Sequence, residues 1–351
     1  MQPSSRTAFL ALPWRSTSAG NVLGNLVEWL RAGWKPPTKV RGIVHLTIWL
    51  LIAGVPNPMA QGAEVLRVMT FNLWHGGEAG GQPLSQTAAV IQLAKADVVG
   101  LQETYGRTKQ GSQPDNGKKL AELLGWFYFD QGERTGILSR FPIATNTPHK
   151  WGVSVRLPSG RTFWMFNAHF SHAPYQPYQL LKIPYANAPF IETAEEAVNA
   201  ARQARGHQVT GLLKDLRPML SSGATVFLTG DFNEPSHLDW TPRAAAAGVC
   251  PIAVDYPSTR VVMDAGLRDV FRTVHPDEIQ RRGNTWTPTT TPDDPKDRHD
   301  RIDFVFFSGT GVTVKLCDIV GESKAYADLV LTPYPSDHRA VVATVQLPDS
   351  R

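Results

Sequence analysis

Hydrophobic and polar positions along this chain follow two rhythms. Short β-branched and aromatic runs at residues 65–69, 98–100, 225–229 and 340–345 read as buried strands, as do a run opening near Thr162 and one around Val305. Between them, residues 84–94, 118–124 and 192–220 carry the longer polar–apolar mix of helices. Strands alternating with helices predict mixed α and β structure. Residues 289–298, dense in Thr, Pro and Asp, read as a loop. No linker interrupts the chain after Gly62, and the motif spacing gives no internal repeat.

The strands share a feature: each ends, or begins, in residues able to do chemistry. Gly230-Asp231-Phe232-Asn233 follows the run 225–229. Side chains two apart on an extended chain point the same way, so Asp231 and Asn233 are expected to project together. An acid beside an amide can orient a water and steady a phosphoryl oxygen. Asn72 closes the first strand and Glu103 follows the second. His169 closes the strand from Thr162, Asp303 stands in Arg301-Ile302-Asp303-Phe304-Val305, and Asp337-His338 precedes the last strand. Each has a plain reading alone: a strand-end Asn or Asp forms turns, Glu103 could start a helix, and Asp303 could pair with Arg301. The set, in this order, is far more specific than any member.

The set resembles the endonuclease/exonuclease/phosphatase superfamily, whose members include pancreatic deoxyribonuclease, exonuclease III-type enzymes and neutral sphingomyelinases, here in the form of a bacterial secreted-type member. The resemblance spans roughly residues 65–347. It implies a four-layer αββα sandwich, two packed mixed β-sheets with outer helices. It also implies a phosphoesterase dependent on Mg²⁺, with Mn²⁺ as a substitute. Glu103 then corresponds to the main metal ligand, with Asn72 and Asp337 as further metal or phosphate contacts, since Mg²⁺ needs few carboxylates. Asp231 aligns and deprotonates the attacking water, and Asn233 holds water or phosphate. His338, backed by Asp303, donates to the phosphate. His169 is a second catalytic histidine, with Glu133 as its orienting partner.

Composition refines this picture. The chain has 351 residues, 42% of them hydrophobic, enough for one large domain. The pI near 9.0 suggests a polyanion partner. The basic excess, however, sits at the front. Residues 1–62 hold six basic side chains against one acid, a net of +5, so the chain's total of +4 leaves the rest at −1. A near-neutral domain lacks a global field for a phosphate polymer, although Arg298, Arg301 and Arg339 could form a local patch. Residues 39–62, a basic flank, a short apolar run and Pro56-Asn57-Pro58-Met59-Ala60, read as a signal peptide. The chain is therefore expected to be exported, or held at a membrane by that segment. Residues 1–38 read as a poorly structured or mis-annotated extension, and 63–351 as the catalytic domain. Cys250 and Cys317 could pair in an exported protein, or lie buried as free thiols.

Specificity is expected from the insertion at residues 171–190, which starts two residues after His169 and holds Tyr175, Tyr178 and Tyr185 among four prolines. Prolines stiffen a lid, and tyrosines offer faces and hydroxyl donors to a base, a sugar or a choline-like group. Trp286 is expected either near the site floor, as the resemblance implies, or as a plain core tryptophan. The substrate classes in view are a small phosphodiester, nucleic acid, a phospholipid head group and a phosphomonoester. No obligate protein partner is evident. A catalytically dead binding module is the contrasting reading, and the presence of every expected acid and histidine argues against it.

Overall fold

The computed structural model describes residues 64–107 and 112–348. The expectations for residues 1–38 and for a signal peptide at 39–62 lie outside the described residues. Thirteen strands are described: β1 (Val65–Asn72), β2 (Val98–Gln102), β3 (Phe127–Gly132), β4 (Thr135–Ser139), β5 (Ile143–Asn146), β6 (Gly152–Arg156), β7 (Thr162–His169), β8 (Val226–Asp231), β9 (Arg268–Asp269), β10 (Asp303–Ser308), β11 (Thr313–Gly321), β12 (Leu329–Val330) and β13 (Ala340–Gln346). They form a seven-stranded sheet, β12-β11-β13-β1-β2-β4-β3, and a six-stranded sheet, β5-β6-β7-β8-β10-β9. Both are mixed. At the heart of the first, β1 runs parallel to β2, and at the heart of the second, β7 runs parallel to β8.

The helices are α1 (Leu84–Leu93), α2 (Asn116–Leu124), α3 (Gln176–Leu180), α4 (Ala194–Ser221), α5 (Pro242–Ala246), α6 (Pro257–Asp264) and α7 (Val270–Val274). Val90 and Ile91 of α1 and Leu120 of α2 pack on Met69, Phe71, Val99 and Leu101, the outer face of the first sheet. Val209, Leu212 and Leu216 of α4 pack on Phe166, Leu228, Phe304 and Phe306, the outer face of the second. Between the sheets, Leu66, Val68 and Val98 meet Phe163, Met165, Phe227 and Phe307. Each such side chain contributes about 2 kcal/mol of burial. The four αββα layers implied by the family resemblance are therefore present. The long α4 starts from a capping box: Thr193 Oγ1 accepts from Glu196 N at 3.2 Å, and Glu196 Oε2 accepts from Thr193 N at 2.9 Å.

Cys250 and Cys317 are both buried and free, so the disulfide reading gives way to the thiol one. Among the described residues, no helix is long and apolar enough to cross a membrane.

Candidate active site

The site is the last tier of the alternation that builds the core. Along β1, Leu66, Val68, Thr70 and Asn72 share one face, as do Phe163, Met165, Asn167 and His169 along β7. Leu66, Val68, Phe163 and Met165 belong to the core between the sheets. On β8 the succession is Phe227, Thr229, Asp231, and on antiparallel β10 it is Phe307, Val305, Asp303. Steps of two residues advance about 7 Å along a strand. The space between the sheets thus passes from an apolar tier to a polar tier and then to the candidate catalytic tier.

The polar tier is a hydrogen-bond net across the two sheets. Gln102 Nε2 donates to Asn167 Oδ1 at 2.6 Å and to Thr70 Oγ1 at 3.1 Å, and Thr229 Oγ1 donates to Asn167 Oδ1 at 3.2 Å. Gly100 lets this net close, because a Cβ there would lie 2.0 Å from Thr229 Oγ1.

In the next tier, Asp231 is the hub. Its Oδ2 accepts from Asn72 Nδ2 at 2.9 Å and from Asn233 Nδ2 at 3.2 Å, and its Oδ1 accepts from Asn233 N at 2.8 Å. His169 Nε2 lies 3.5 Å from Oδ2 and His338 Nε2 lies 3.7 Å from it. The other ring nitrogen of His338 bonds Asp303 Oδ2 at 2.9 Å. Burial works against a charged ring, but Asp303 and Asp231 outweigh it and hold His338 well above the ordinary histidine value. Thr285 Oγ1 accepts the amides of Ile302 and Asp303 at 3.1 Å each, fixing the start of β10. Ser336 Oγ donates to Asn72 O at 2.7 Å and accepts from His338 N at 3.1 Å, tying the last loop to the end of β1.

Asp231 and Asn233 meet, but not through strand parity. The strand stops at Asp231, and Asn233 turns back with φ 48°. Glu103 likewise leaves its strand in the left-handed region, at φ 54°. Its Oε2 accepts from His75 N at 2.9 Å. Non-glycine residues in this region cost energy and gather at sites where geometry matters.

The oxygen donors suit a hard divalent cation. Glu103 and Asp337 line one cavity, and buried Asp337 Oδ1 has no hydrogen-bond partner. Burial pushes Asp337 up to about 7; His338 opposes the rise and Glu103 adds to it. Glu103 itself falls below its ordinary value; burial opposes this, and His169, the His75 amide and His338 prevail. Asn72 is less free than expected, since its amide serves Asp231 and its Oδ1 accepts from Trp74 N at 3.0 Å. Asp231, Asp303 and His338 also bring ligand atoms within 4.8 Å of one another, spacing that could hold a metal. There, however, the His338 nitrogen is engaged by Asp303 and Asp231 accepts three bonds, an arrangement suited to proton handling.

The cavity, of about 340 Å³, is lined by Glu103, His169, Asp231, Asp337 and His338 and by Trp74, His75, Arg134, His172, Tyr175, Tyr178, Tyr185, Asn233, Trp286 and Ile302. The Trp286 and His338 ring centroids stand 5.0 Å apart. The insertion forms a wall, but two of its hydroxyls are already committed: Tyr175 donates to Asp300 Oδ2 at 2.8 Å, and Tyr178 to Asp297 Oδ1. They offer rings to a ligand, not donors. Buried Arg205 anchors the insertion through Gln176 Oε1 at 2.7 Å and Pro174 O at 3.0 Å, and lies 3.6 Å from Glu234 Oε2 just past the β8 hub.

Two expectations are corrected. Glu133 is exposed on the β3–β4 turn, and no hydrogen bond or ion pair joins it to His169 among the described residues; the histidine faces Asp231 instead. The basic patch is absent because its members have counter-ions: Arg298 pairs with Asp300, Arg301 with Asp239 and Asp269, and Arg339 with Glu322. Arg134, unassigned from the sequence, is the arginine that lines the cavity. Its Nη2 lies 3.0 Å from His75 Nδ1 and 3.9 Å from Glu103 Oε2. Its place beside Glu133 on the turn was the available signal.

An uncharacterized protein of Caenorhabditis elegans is 28% identical over 301 residues, covering 79% of this chain and 90% of its own. Among solved structures, an endonuclease/exonuclease/phosphatase from Beutenbergia cavernae DSM 12333 superimposes with a TM-score of 0.52 at 20% identity, over 81% of this chain and 72% of that one. D. rerio TDP2 complexed with single-strand DNA product gives a TM-score of 0.46 at 18% identity, over 81% and 100%. The model of the endonuclease/exonuclease/phosphatase family matches residues 69–338. This chain belongs to the endonuclease/exonuclease/phosphatase family and is a hydrolase of phosphoester bonds.

Proposed function

We propose that the domain is a Mg²⁺-dependent phosphoesterase acting on a small phosphodiester. The observation that carries this is Asp231 Oδ2, held by Asn72 and Asn233 and facing two imidazoles at 3.5 and 3.7 Å. A carboxylate fixed by amide donors is placed to receive a proton from water. The water oxygen bonds to phosphorus as the ester P–O bond breaks. The water proton passes to Asp231, and the leaving oxygen collects one from the imidazole edge formed by His169 and His338. His338, charged by its contact with Asp303, meets the negative charge that builds on the phosphoryl oxygens. Arg134 adds a second cation at the mouth. Glu103 and Asp337 would hold Mg²⁺, which when bound supplies positive charge against the phosphoryl group.

The substrate size follows from the surroundings. The cavity is walled by the insertion, the three other candidate arginines are spent on internal carboxylates, and residues 63–351 carry a net of −1. These features favour a small ester over a polymer. The test is hydrolysis by the full chain of bis-p-nitrophenyl phosphate, plasmid DNA and a phosphomonoester, with Mg²⁺ and with EDTA. Metal-dependent turnover of the small diester is expected. Unchanged turnover in chelator removes the metal, and preferential nicking of DNA overturns the size assignment.

A further inference from the structure

One buried guanidinium stands between the wall of the cavity and the turn that carries the chemistry. Arg205, on α4, is wholly enclosed. On one side it grips the insertion: Nη1 donates to Gln176 Oε1 at 2.7 Å and Nη2 to Pro174 O at 3.0 Å. These two partners flank Tyr175, which lines the cavity. Gln176 is itself buried, and its Nε2 donates to Gln179 Oε1 at 3.2 Å. Gln179 Nε2 in turn donates to Pro189 O at 2.7 Å, so the grip reaches the far end of the insertion.

On the other side, Arg205 Nη1 lies 3.6 Å from Glu234 Oε2, which is also wholly buried. Glu234 is the residue after Asn233. Its Oε1 accepts from Ser258 N at 2.7 Å and its Oε2 from Ser258 Oγ at 2.9 Å, in the first turn of α6. A carboxylate is favourably placed at a helix N-terminus. Asn233 sits at φ 48°, a conformation that costs energy in a non-glycine residue, so the surroundings must hold the turn. Glu234, set between α6 and Arg205, supplies that hold one residue beyond the amide that bonds Asp231 Oδ2 at 3.2 Å.

Stability alone does not account for the pair. Burial pushes the Glu234 carboxyl up and the Arg205 guanidinium down from their ordinary values, and Arg205 Nε is buried with no hydrogen-bond partner. Apolar residues of similar volume often match or exceed the stability of a buried ion pair. A guanidinium fork, however, fixes direction as well as distance, which the point charge of a lysine does not.

We propose that Arg205 is a positioning residue for the reaction: its fork sets the wall of the cavity and the turn from Asp231 to Asn233 at one separation. The kinetic consequence rests on the phosphoesterase reading above; the placement is tested apart from it. The full chain is assayed on bis-p-nitrophenyl phosphate with Mg²⁺, well below each variant's melt, so that rates refer to folded protein. The double variant Arg205→Met/Glu234→Gln leaves no buried charge unpaired and keeps an amide facing Ser258. It is expected to melt near the parent and to lose about 100-fold in kcat, the scale of a displacement of about 1 Å at reacting groups. Arg205→Lys keeps the charge opposite Glu234 without the fork, and should recover most of kcat while KM stays raised. Hydrogen exchange follows the bonded amides of Gln179, Leu181 and Ile183 in the wall and of Phe232 and Asn233 in the turn. In the double variant both groups should lose protection together, while β1 and β2 keep theirs.

Parent kinetics with unchanged exchange overturn the proposal, and paired loss of protection with parent kinetics overturns the role in the reaction. Loss of protection throughout the domain, with kcat falling only as the folded fraction falls, makes Arg205 general support and overturns it as well. If the parent chain hydrolyses no ester, paired loss of protection upholds the placement and the phosphoesterase reading alone fails.

Discussion

Replacing Gly100 with alanine tests whether the polar tier holds the catalytic tier in place. The added Cβ would lie 2.0 Å from Thr229 Oγ1 and 2.4 Å from Asn167 Oδ1. The glycine has no positive φ, so the substitution isolates the contact from backbone strain. Something must move, and both neighbours are buried at 0% exposure. Overpacking a core costs about 1–3 kcal/mol. Parting Thr229 from Asn167, or Asn167 from Gln102, leaves a buried polar group unsatisfied at about 1–3 kcal/mol more. The expected loss is therefore about 2–6 kcal/mol, a large share of the roughly 5–15 kcal/mol that holds a domain folded. Urea titration should show a lower midpoint with an unchanged slope. Activity should fall further than stability predicts: Thr229 lies two residues before Asp231 and Asn167 two before His169, and a shift of about 1 Å at reacting groups can cost ~100-fold. Thr229→Ala in the same chain removes the nearest clash and should restore part of the stability. A Gly100→Ala protein with native stability and rate would refute the tiered account.

Other substitutions probe single contacts. Asp303→Asn removes the carboxylate 2.9 Å from His338 Nδ1; with a charge-assisted bond worth about 1.5–3 kcal/mol, the alkaline limb of the kcat/KM–pH profile should move about one to two units toward acid. An unmoved limb would detach His338's charge from the reaction. Asp231→Asn should cut kcat by about 10²–10⁴, with a smaller change in KM; full activity would remove Asp231 as the proton acceptor. Asp215, on α4, accepts from His149 Nδ1 at 2.6 Å and from His149 N at 3.0 Å. Burial opposes its ionisation, but bonds from Thr147, His149 and Trp151 hold it below the ordinary aspartate value. A depressed carboxyl stabilises above its unfolded value, near 4, and loses that contribution as pH falls through its folded value. Asp215→Asn should therefore destabilise at pH 6 and become nearly neutral near pH 2; an equal effect at both would show that charge is not what matters there.

Legibility from the chain followed burial. Strands β2 and β8 are buried along their whole length, and their continuous apolar runs stood out. Strands β3 and β5 lie at sheet edges with exposed polar positions, so neither alternation nor an apolar run marked them. The candidate catalytic set was readable because its members stand at the end of a visible strand or within a few residues of one. Asp231 and Asn233 were rightly paired, though a left-handed turn and not strand parity brings them together. Arg301 and Arg339 were misread because their counter-ions, Asp239, Asp269 and Glu322, are distant in sequence. The same holds for Tyr175 and Tyr178, whose hydroxyls are taken by a loop more than a hundred residues away.

The two parallel pairs at the sheet centres set how such a fold can diversify. Strands β1, β2, β7 and β8 all deliver the chain to one rim, and β10 and β13 start from it. Several separate connections therefore leave or arrive at that edge, and the insertion between β7 and α4 is one of them. Lengthening any of them adds material around the cavity without disturbing the register of a single strand. The opposite end of the sandwich has no such privilege, because nothing grown there reaches the chemistry. New substrate preferences in this architecture can be acquired by elongation at one end while the tiers beneath stay unchanged.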